Sequence, residues 1–380
     1  MLVLKFRLFV ALAFFIFGLY GLLYHSTENI DGPSEFATYL PTANSSSTIA
    51  SNVSYPFSSE KCSGTISPAQ DLKSPPYAFV SFLSMTNEDG DLDDPVVYND
   101  KVHFIAARML AYQLLHAPET RTKKNYPFIV AVTPEITQGI RSRLVSDGAQ
   151  VIEVEHLTAD WISPEDRYST VMTKIRIASW TQFDLVLFLD LDTVLTQNLD
   201  GVFEDPAVQV LPNLHLEREG QKSTMKEDEG PQPESYVFAG TASLSGNHGF
   251  PPREAEMYLG HWANAGFWII HPSKDLYNHY LTVLSIPDRF QTFFPEEGLL
   301  NYVHRDGGNM PWLQLDFIWN TAFAWKGDFD AGVKSLHRKW WAESGGLEDY
   351  FHQIRWQMDG YFKGMDAQGH TKKANALCTQ

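Results

Sequence analysis

Two aspartates two residues apart, Asp190 and Asp192, close the stretch Phe183-Asp184-Leu185-Val186-Leu187-Phe188-Leu189-Asp190-Leu191-Asp192. On an extended backbone, side chains at i and i+2 point to the same side. Two convergent carboxylates are hard oxygen ligands for Mg²⁺ or Mn²⁺, and such an ion can in turn hold the phosphates of a nucleotide. The apolar run before them reads as a strand buried on both faces. In an open α/β sheet the carboxyl end of such a strand is where ligands bind. A bare D-x-D also recurs by chance, and two aspartates that cap the next element or solvate a turn would look the same. The elements around them have to decide.

Those elements alternate. Tyr77 to Leu83, Phe128 to Val132 and Gln150 to Val154 read as strands, with helices over Val97 to His116 and Glu135 to Ser146 between them. Thr170 to Thr181 reads as a helix with Val171, Ile175 and Ala178 on one face, feeding the aspartate strand. Such alternation predicts an α/β fold with a mostly parallel central sheet flanked by helices. His261 to Pro272 is a second buried strand entered through Asn264-Ala265-Gly266. That tripeptide leaves room for a ligand, and an Asn amide both donates and accepts hydrogen bonds to sugar hydroxyls; a turn before a core strand explains the glycine equally well. Pro295 to Asn301 opens a helix whose acidic start, Glu296-Glu297, suits the helix dipole. Lys334 to His337 is a short strand ending in a histidine. A lone histidine is more often structural, yet imidazole suits Mn²⁺ beside carboxylates. Arg338 and Lys339 either meet a diphosphate or are surface charge. Glu88 to Asp94 reads as a solvated acidic loop, and Glu217 to Glu234 as a mobile surface insertion.

The chain has 380 residues and a formal net charge of −17. That balance argues against a nucleic-acid partner. It also means that a phosphate-bearing ligand needs local cations, of which a bound metal is the simplest. Leu8 to Tyr24 is apolar and uncharged, with Lys5 and Arg7 before it and Glu28 and Asp31 after. These flanks predict a signal anchor with a cytoplasmic N-terminus, since no small-x-small cleavage site follows. The expected organisation is a cytoplasmic tip and transmembrane anchor over 1–25, a flexible luminal stem over 26–76 and a folded domain over 77–375. Two N-glycosylation patterns, Asn44-Ser45-Ser46 and Asn52-Val53-Ser54, fall in that stem. The two cysteines, Cys62 and Cys378, are as compatible with a disulfide as with two free thiols. Homodimerisation is left open.

In order along the chain, these residues resemble glycosyltransferase family 8, the glycogenin-like enzymes of the GT-A fold. The resemblance spans roughly Tyr77 to Trp341. Its most specific block is Thr173-Lys174-Ile175, Thr181-Gln182-Phe183 and Phe188-Leu189-Asp190-Leu191-Asp192-Thr193, with Asn264-Ala265-Gly266, Gly298-Leu299-Leu300-Asn301 and His337 following. It implies a retaining transferase of hexosyl or N-acetylhexosaminyl groups, with a nucleotide-sugar donor, UDP-linked, and a glycan or glycoprotein acceptor. It further implies Mn²⁺, or Mg²⁺, on Asp190, Asp192 and His337, Lys174 beside the donor, and Asn264 and Glu297 beside the sugars. Family members with an anchor and stem are Golgi type II membrane enzymes. The chain departs from the family after His337, where Arg338-Lys339-Trp340-Trp341 lacks the usual glycine and Lys-Pro pair, and at Glu296-Glu297, where Asp and Gln are usual. The base-stacking tyrosine has no clear equivalent; His103 and Phe104 lie near its place.

Two other functions compete. Asp190-x-Asp192-x-Val194-Leu195 also fits the first motif of haloacid-dehalogenase-type phosphatases, in which the first Asp is a nucleophile; Gly327-Asp328-x-Asp330 is a partial echo of their acidic motif and reads as a surface turn. Three expected strands before the motif speak against that reading. The altered residues at 296–297 and after 337 keep open a catalytically silent member that binds glycans or scaffolds complexes.

Overall fold

A computed structural model of the chain describes residues 76–85, 90–162, 169–215, 226–258, 260–342 and 345–369. The strands are β1 Tyr77–Leu83, β2 Phe128–Val132, β3 Gln150–Glu153, β4 Leu185–Leu189, β5 Thr193–Leu195, β6 Leu211–Pro212, β7 Ser235–Tyr236, β8 Phe238–Ala242, β9 Ala263–Ile270, β10 Leu313–Gln314, β11 Thr321–Ala322 and β12 Ser335–His337. The α-helices are α1 Pro95–Tyr98, α2 Val102–Leu115, α3 Gln138–Ser146, α4 Lys274–Leu284, α5 Pro295–Val303, α6 Lys326–Ala331 and α7 Glu348–Ala367.

The main sheet has the order β10-β8-β9-β4-β1-β2-β3. β4, β1, β2 and β3 pair in parallel, and β9 runs against both its neighbours, β4 and β8. The sheet is therefore mixed, parallel but for one inserted strand, whereas the apolar pattern of β9 carried no sign of its direction. Both faces are covered. Ala78, Val80, Phe82, Val186 and Phe188 pack on one side, and Phe79, Leu83, Leu187 and Leu189 on the other, as the two-residue repeat of a strand requires. Trp268 of β9, 1 % exposed, stacks on Phe188 and Phe238 and ties three adjacent strands together.

The helix expected over Val97 to His116 is broken in two. Asp94 caps α1 by accepting from Val96 N at 2.8 Å, and Asn99 closes it before α2 begins. Residues Ser169–Ser179 wind as a 3₁₀ helix of 11 residues where an α-helix was expected, much longer than the three or four residues usual for that winding. Thr170, Val171, Thr173, Ile175 and Ile177 are β-branched and weaken the α alternative.

Part of the segment expected to be a mobile insertion is tied down. Glu229, 1 % exposed, accepts from Arg289 Nη1 at 2.6 Å and from the hydroxyl of Tyr302, and Asn213 Nδ2 donates to Pro233 O at 3.0 Å. The expected membrane-spanning helix, and the Golgi type II assignment built on it, are corrected: among the described residues no helix is long and apolar enough to cross a membrane. The apolar helix α2 has 14 residues, about 21 Å against a hydrocarbon core of ~30 Å. Helix α7 has 20 residues but carries Glu348, Asp349, Arg355, Asp359, Lys363 and Asp366 and is amphipathic. The run from Leu8 to Tyr24, both glycosylation patterns and both cysteines lie outside the described residues.

Gly298 shows how tightly α5 is seated. A Cβ built there would lie 2.0 Å from the backbone oxygen of Gln291. Alanine would ordinarily stabilise a helix interior over glycine by ~1 kcal/mol. Here Gly298→Ala is expected to destabilise the fold by about 1–3 kcal/mol through overpacking, read as a lower urea midpoint; an unchanged or higher midpoint would contradict the packing described.

Candidate metal centre

Strand β4 ends at Leu189, and the chain turns at once. Asp190 N still donates to Gly266 O of β9 at 2.9 Å, and Thr193 N donates back to Asp190 O at 3.2 Å. Strand β5 then pairs antiparallel with β12, which sets His337 opposite Thr193. Arg338 N donates to Asp192 O at 2.9 Å and fixes the crossing. The outcome is local: His337 Nε2 lies 3.0 Å from Asp192 Oδ1 and 3.9 Å from Asp190 Oδ2. One ligand atom from each of Asp190, Asp192 and His337 falls within 4.8 Å of the others.

Gly266 is the space these groups occupy. A Cβ there would meet His337 Cε1 at 2.2 Å and Asp190 Oδ2 at 2.8 Å. Any side chain at 266 would fill the cluster. Two carboxylates and an imidazole in that space fit a first-row divalent ion, Mn²⁺ more naturally than the strictly oxygen-seeking Mg²⁺.

Lys174 approaches from the 3₁₀ helix. Its Nζ donates to Asp190 Oδ1 at 2.7 Å and to Glu296 Oε1 at 3.1 Å, and lies 5.2 Å from the centre of the Phe188 ring. The residue is 6 % exposed. Burial alone would lower the ammonium, but Asp190 and Glu296 outweigh it and hold Lys174 above its ordinary range. Asp192 shows the mirror case: burial would raise it, and His337, Lys339 and Lys174 pull it down to about 2. Burial likewise opposes the charge on His337, which Asp192 and Asp190 raise all the same. Glu296, legible as half of an acidic helix start and as a departure from the family pattern, is the second partner of Lys174, and its Oε2 is buried without a hydrogen bond.

Glu297 and Asn264 face inward on the same seam. Glu297 accepts from Trp262 Nε1 at 2.7 Å and from Ala265 N at 2.9 Å. Asn264 accepts from Gly266 N at 2.9 Å and donates to Ser243 Oγ at 3.1 Å. Asn301 clamps the seam from α5, accepting from Ala263 N and donating to Ala263 O and Glu297 O. These groups hold β9 against α5. Of the two basic residues after His337, Arg338 donates to Phe323 O and Ala324 O at 3.2 Å each, while Lys339 is exposed. Phe104 is a core residue, and His103 meets Trp341 edge-on. Asp328, the acidic echo at first read as a surface turn, is fully buried, caps α6 through Trp325 N and pairs with the equally buried His248 at 3.1 Å.

No family model matches the chain. It is 28 % identical over 295 residues to an uncharacterized protein of Schizosaccharomyces pombe, covering 71 % of this chain and 73 % of that one. It is 23 % identical over 198 residues to galactinol synthase 1 of Solanum lycopersicum, covering 49 % of this chain and 53 % of that one. Among solved structures it is similar to the glycosyltransferase GlyE of Streptococcus pneumoniae, at 14 % identity and a TM-score of 0.41, covering 76 % of this chain and 64 % of that one.

Burial lifts Glu297 from 4.5 to about 7, against the hydrogen bonds from Ala265 and Trp262. A folded-state pKa above the unfolded one contributes stability that is whole below 4.5 and lost as pH rises through about 7. Relative to Glu297→Gln, wild-type protein should therefore lose thermal stability steadily over that window. A wild-type-minus-variant Tm difference that is flat with pH would refute the shift.

Proposed function

We propose that the chain is a metal-dependent glycosyltransferase that moves a hexosyl or N-acetylhexosaminyl group from a nucleotide-sugar, UDP-linked, to a glycan acceptor with retention of configuration. The observation that carries this reading is the meeting of Asp190, Asp192 and His337, from two strands far apart in sequence, at the carboxyl end of β4. Sequence similarity to galactinol synthases supports it.

Asp190, Asp192 and His337 would hold Mn²⁺ or Mg²⁺, which when bound supplies Lewis-acid stabilisation for a diphosphate leaving group. Lys174 orients Asp190 through a charge-assisted hydrogen bond. Lys339, exposed and close enough to depress Asp192, is the cation in position to meet the diphosphate, whereas Arg338 is committed to backbone carbonyls. Asn264, with one amide hydrogen beyond its bond to Ser243, and Glu297 behind it would line the sugar. The burial of Asp328 in its pair with His248 speaks against the phosphatase alternative, whose acidic echo it belongs to.

The test is hydrolysis of a panel of sugar nucleotides by purified protein with Mn²⁺. A transferase slowly hydrolyses its own donor, a phosphatase prefers phosphomonoesters and traps an aspartyl-phosphate on Asp190, and a silent binder does neither. Asp192→Asn should reduce donor hydrolysis by more than about 100-fold, with His337→Ala milder because water can replace imidazole. Full activity of Asp192→Asn with Mn²⁺ present would sink the proposal.

Lys174 gives an independent check. Lys174→Ala should weaken donor turnover by about tenfold or more, the loss of one charge-assisted hydrogen bond. An ammonium cannot coordinate a metal, so Mn²⁺ is still expected to bind when titrated into the variant. Wild-type donor kinetics in Lys174→Ala would remove the residue from the site.

A further inference from the structure

Beside the aspartate cluster lies a separate cleft of about 350 Å³, lined by Asp100, Trp340, Trp341, Glu348, His352 and Arg355 among others. None of Asp190, Asp192 and His337 lines it. It is nevertheless close to them: Trp341 follows His337 by four residues, which at full extension span at most ~14 Å. The Trp341 indole meets His103 of α2 at 5.3 Å between centroids, so this wall is braced across the start of the helix. Arg355 of α7 lies over the Trp340 ring at 5.2 Å.

We propose that this cleft is the acceptor subsite and takes a neutral saccharide. The inference rests on the transferase reading for the word acceptor, and on the cleft alone for the ligand class. Its volume falls within the ~300–1,000 Å³ of small-molecule sites. Its walls combine what a sugar offers partners for. The partly exposed Trp341 indole accepts the apolar C–H face of a pyranose, while Asp100 and Glu348 accept from hydroxyls and Arg355 donates to them. The charges argue against a phosphate, because two carboxylates and one guanidinium line the cleft. Trp340, 5 % exposed, lines it with its ring under Arg355.

The experiment is saturation-transfer NMR on the metal-free and donor-free protein with lactose, maltotriose, cellobiose and chitobiose, and with uridine and glucose 1-phosphate as comparators. At least one neutral saccharide should receive saturation, and Trp341→Ala and Glu348→Gln should each weaken its binding by about tenfold or more. Glu348 is exposed, so its glutamine variant keeps the fold even if Trp341→Ala does not. Asp192→Asn should bind the saccharide as wild type does, which separates this proposal from the metal-dependent one. Donor hydrolysis without saccharide binding would overturn the subsite and leave the transferase reading standing. Saccharide binding indifferent to both cleft variants, or binding of uridine or the sugar phosphate in preference, would overturn it as well.

Discussion

One buried ammonium holds the acidic end of the sheet together. Asp190, Asp192, Glu296 and Glu297 converge where β4, β9 and α5 meet, and Lys174 bonds two of these carboxylates from a position 6 % exposed. Carboxylates taken out of water cost several kcal/mol each unless they are paired or bonded. The arrangement meets that cost in three ways. Lys174 pairs with Asp190 and Glu296, His337 pulls Asp192 down to about 2, and Glu297 drifts up to about 7 where burial prevails. A divalent ion would complete the balance and is the charge that an acidic chain lacks for binding phosphates.

That electrostatic arrangement depends on close backbone packing. Gly266 lets β9 pass within a missing methyl group of His337 and Asp190, and Gly298 lets α5 sit on the backbone of Gln291. Asn301 and Glu297 then stitch helix to strand with hydrogen bonds to the backbone at Ala263 and Ala265. The absent Cβ of Gly266 is the space that site side chains fill, and that of Gly298 is where two backbones nearly touch.

The sequence disclosed strands whose residues alternate between two buried faces. Tyr77 to Leu83 and Phe128 to Val132 occur with the expected bounds, and the aspartate strand and the short strand ending at His337 lie where the pattern put them. What it did not disclose depends on tertiary partners. A fully apolar run such as β9 has no feature that sets its direction, so its antiparallel insertion was invisible. The 3₁₀ winding of Ser169–Ser179 and the break before α2 turn on local competition that a helical period does not report. Asp328 looked exposed because glycine and acidic residues surround it, and its bonds to Trp325 N and to His248, 80 positions away, make its burial tolerable. Lys174 was expected beside the donor, and the structure bonds it to Asp190 and also to Glu296, a partner that no spacing in the sequence connected with it.

The pairing of β5 with β12 bears on how the chain is made. Asp192 leaves the ribosome long before His337, and at ~5–20 residues per second the interval is on the order of ten seconds. Throughout it the nascent chain carries β5 without its antiparallel partner and Asp192 without its imidazole. An edge strand with unpaired amides and carbonyls invites pairing with other chains. Asp192, without its imidazole until β12 is made, leaves a negative charge beside that edge, the kind of device that blunts edge-to-edge pairing.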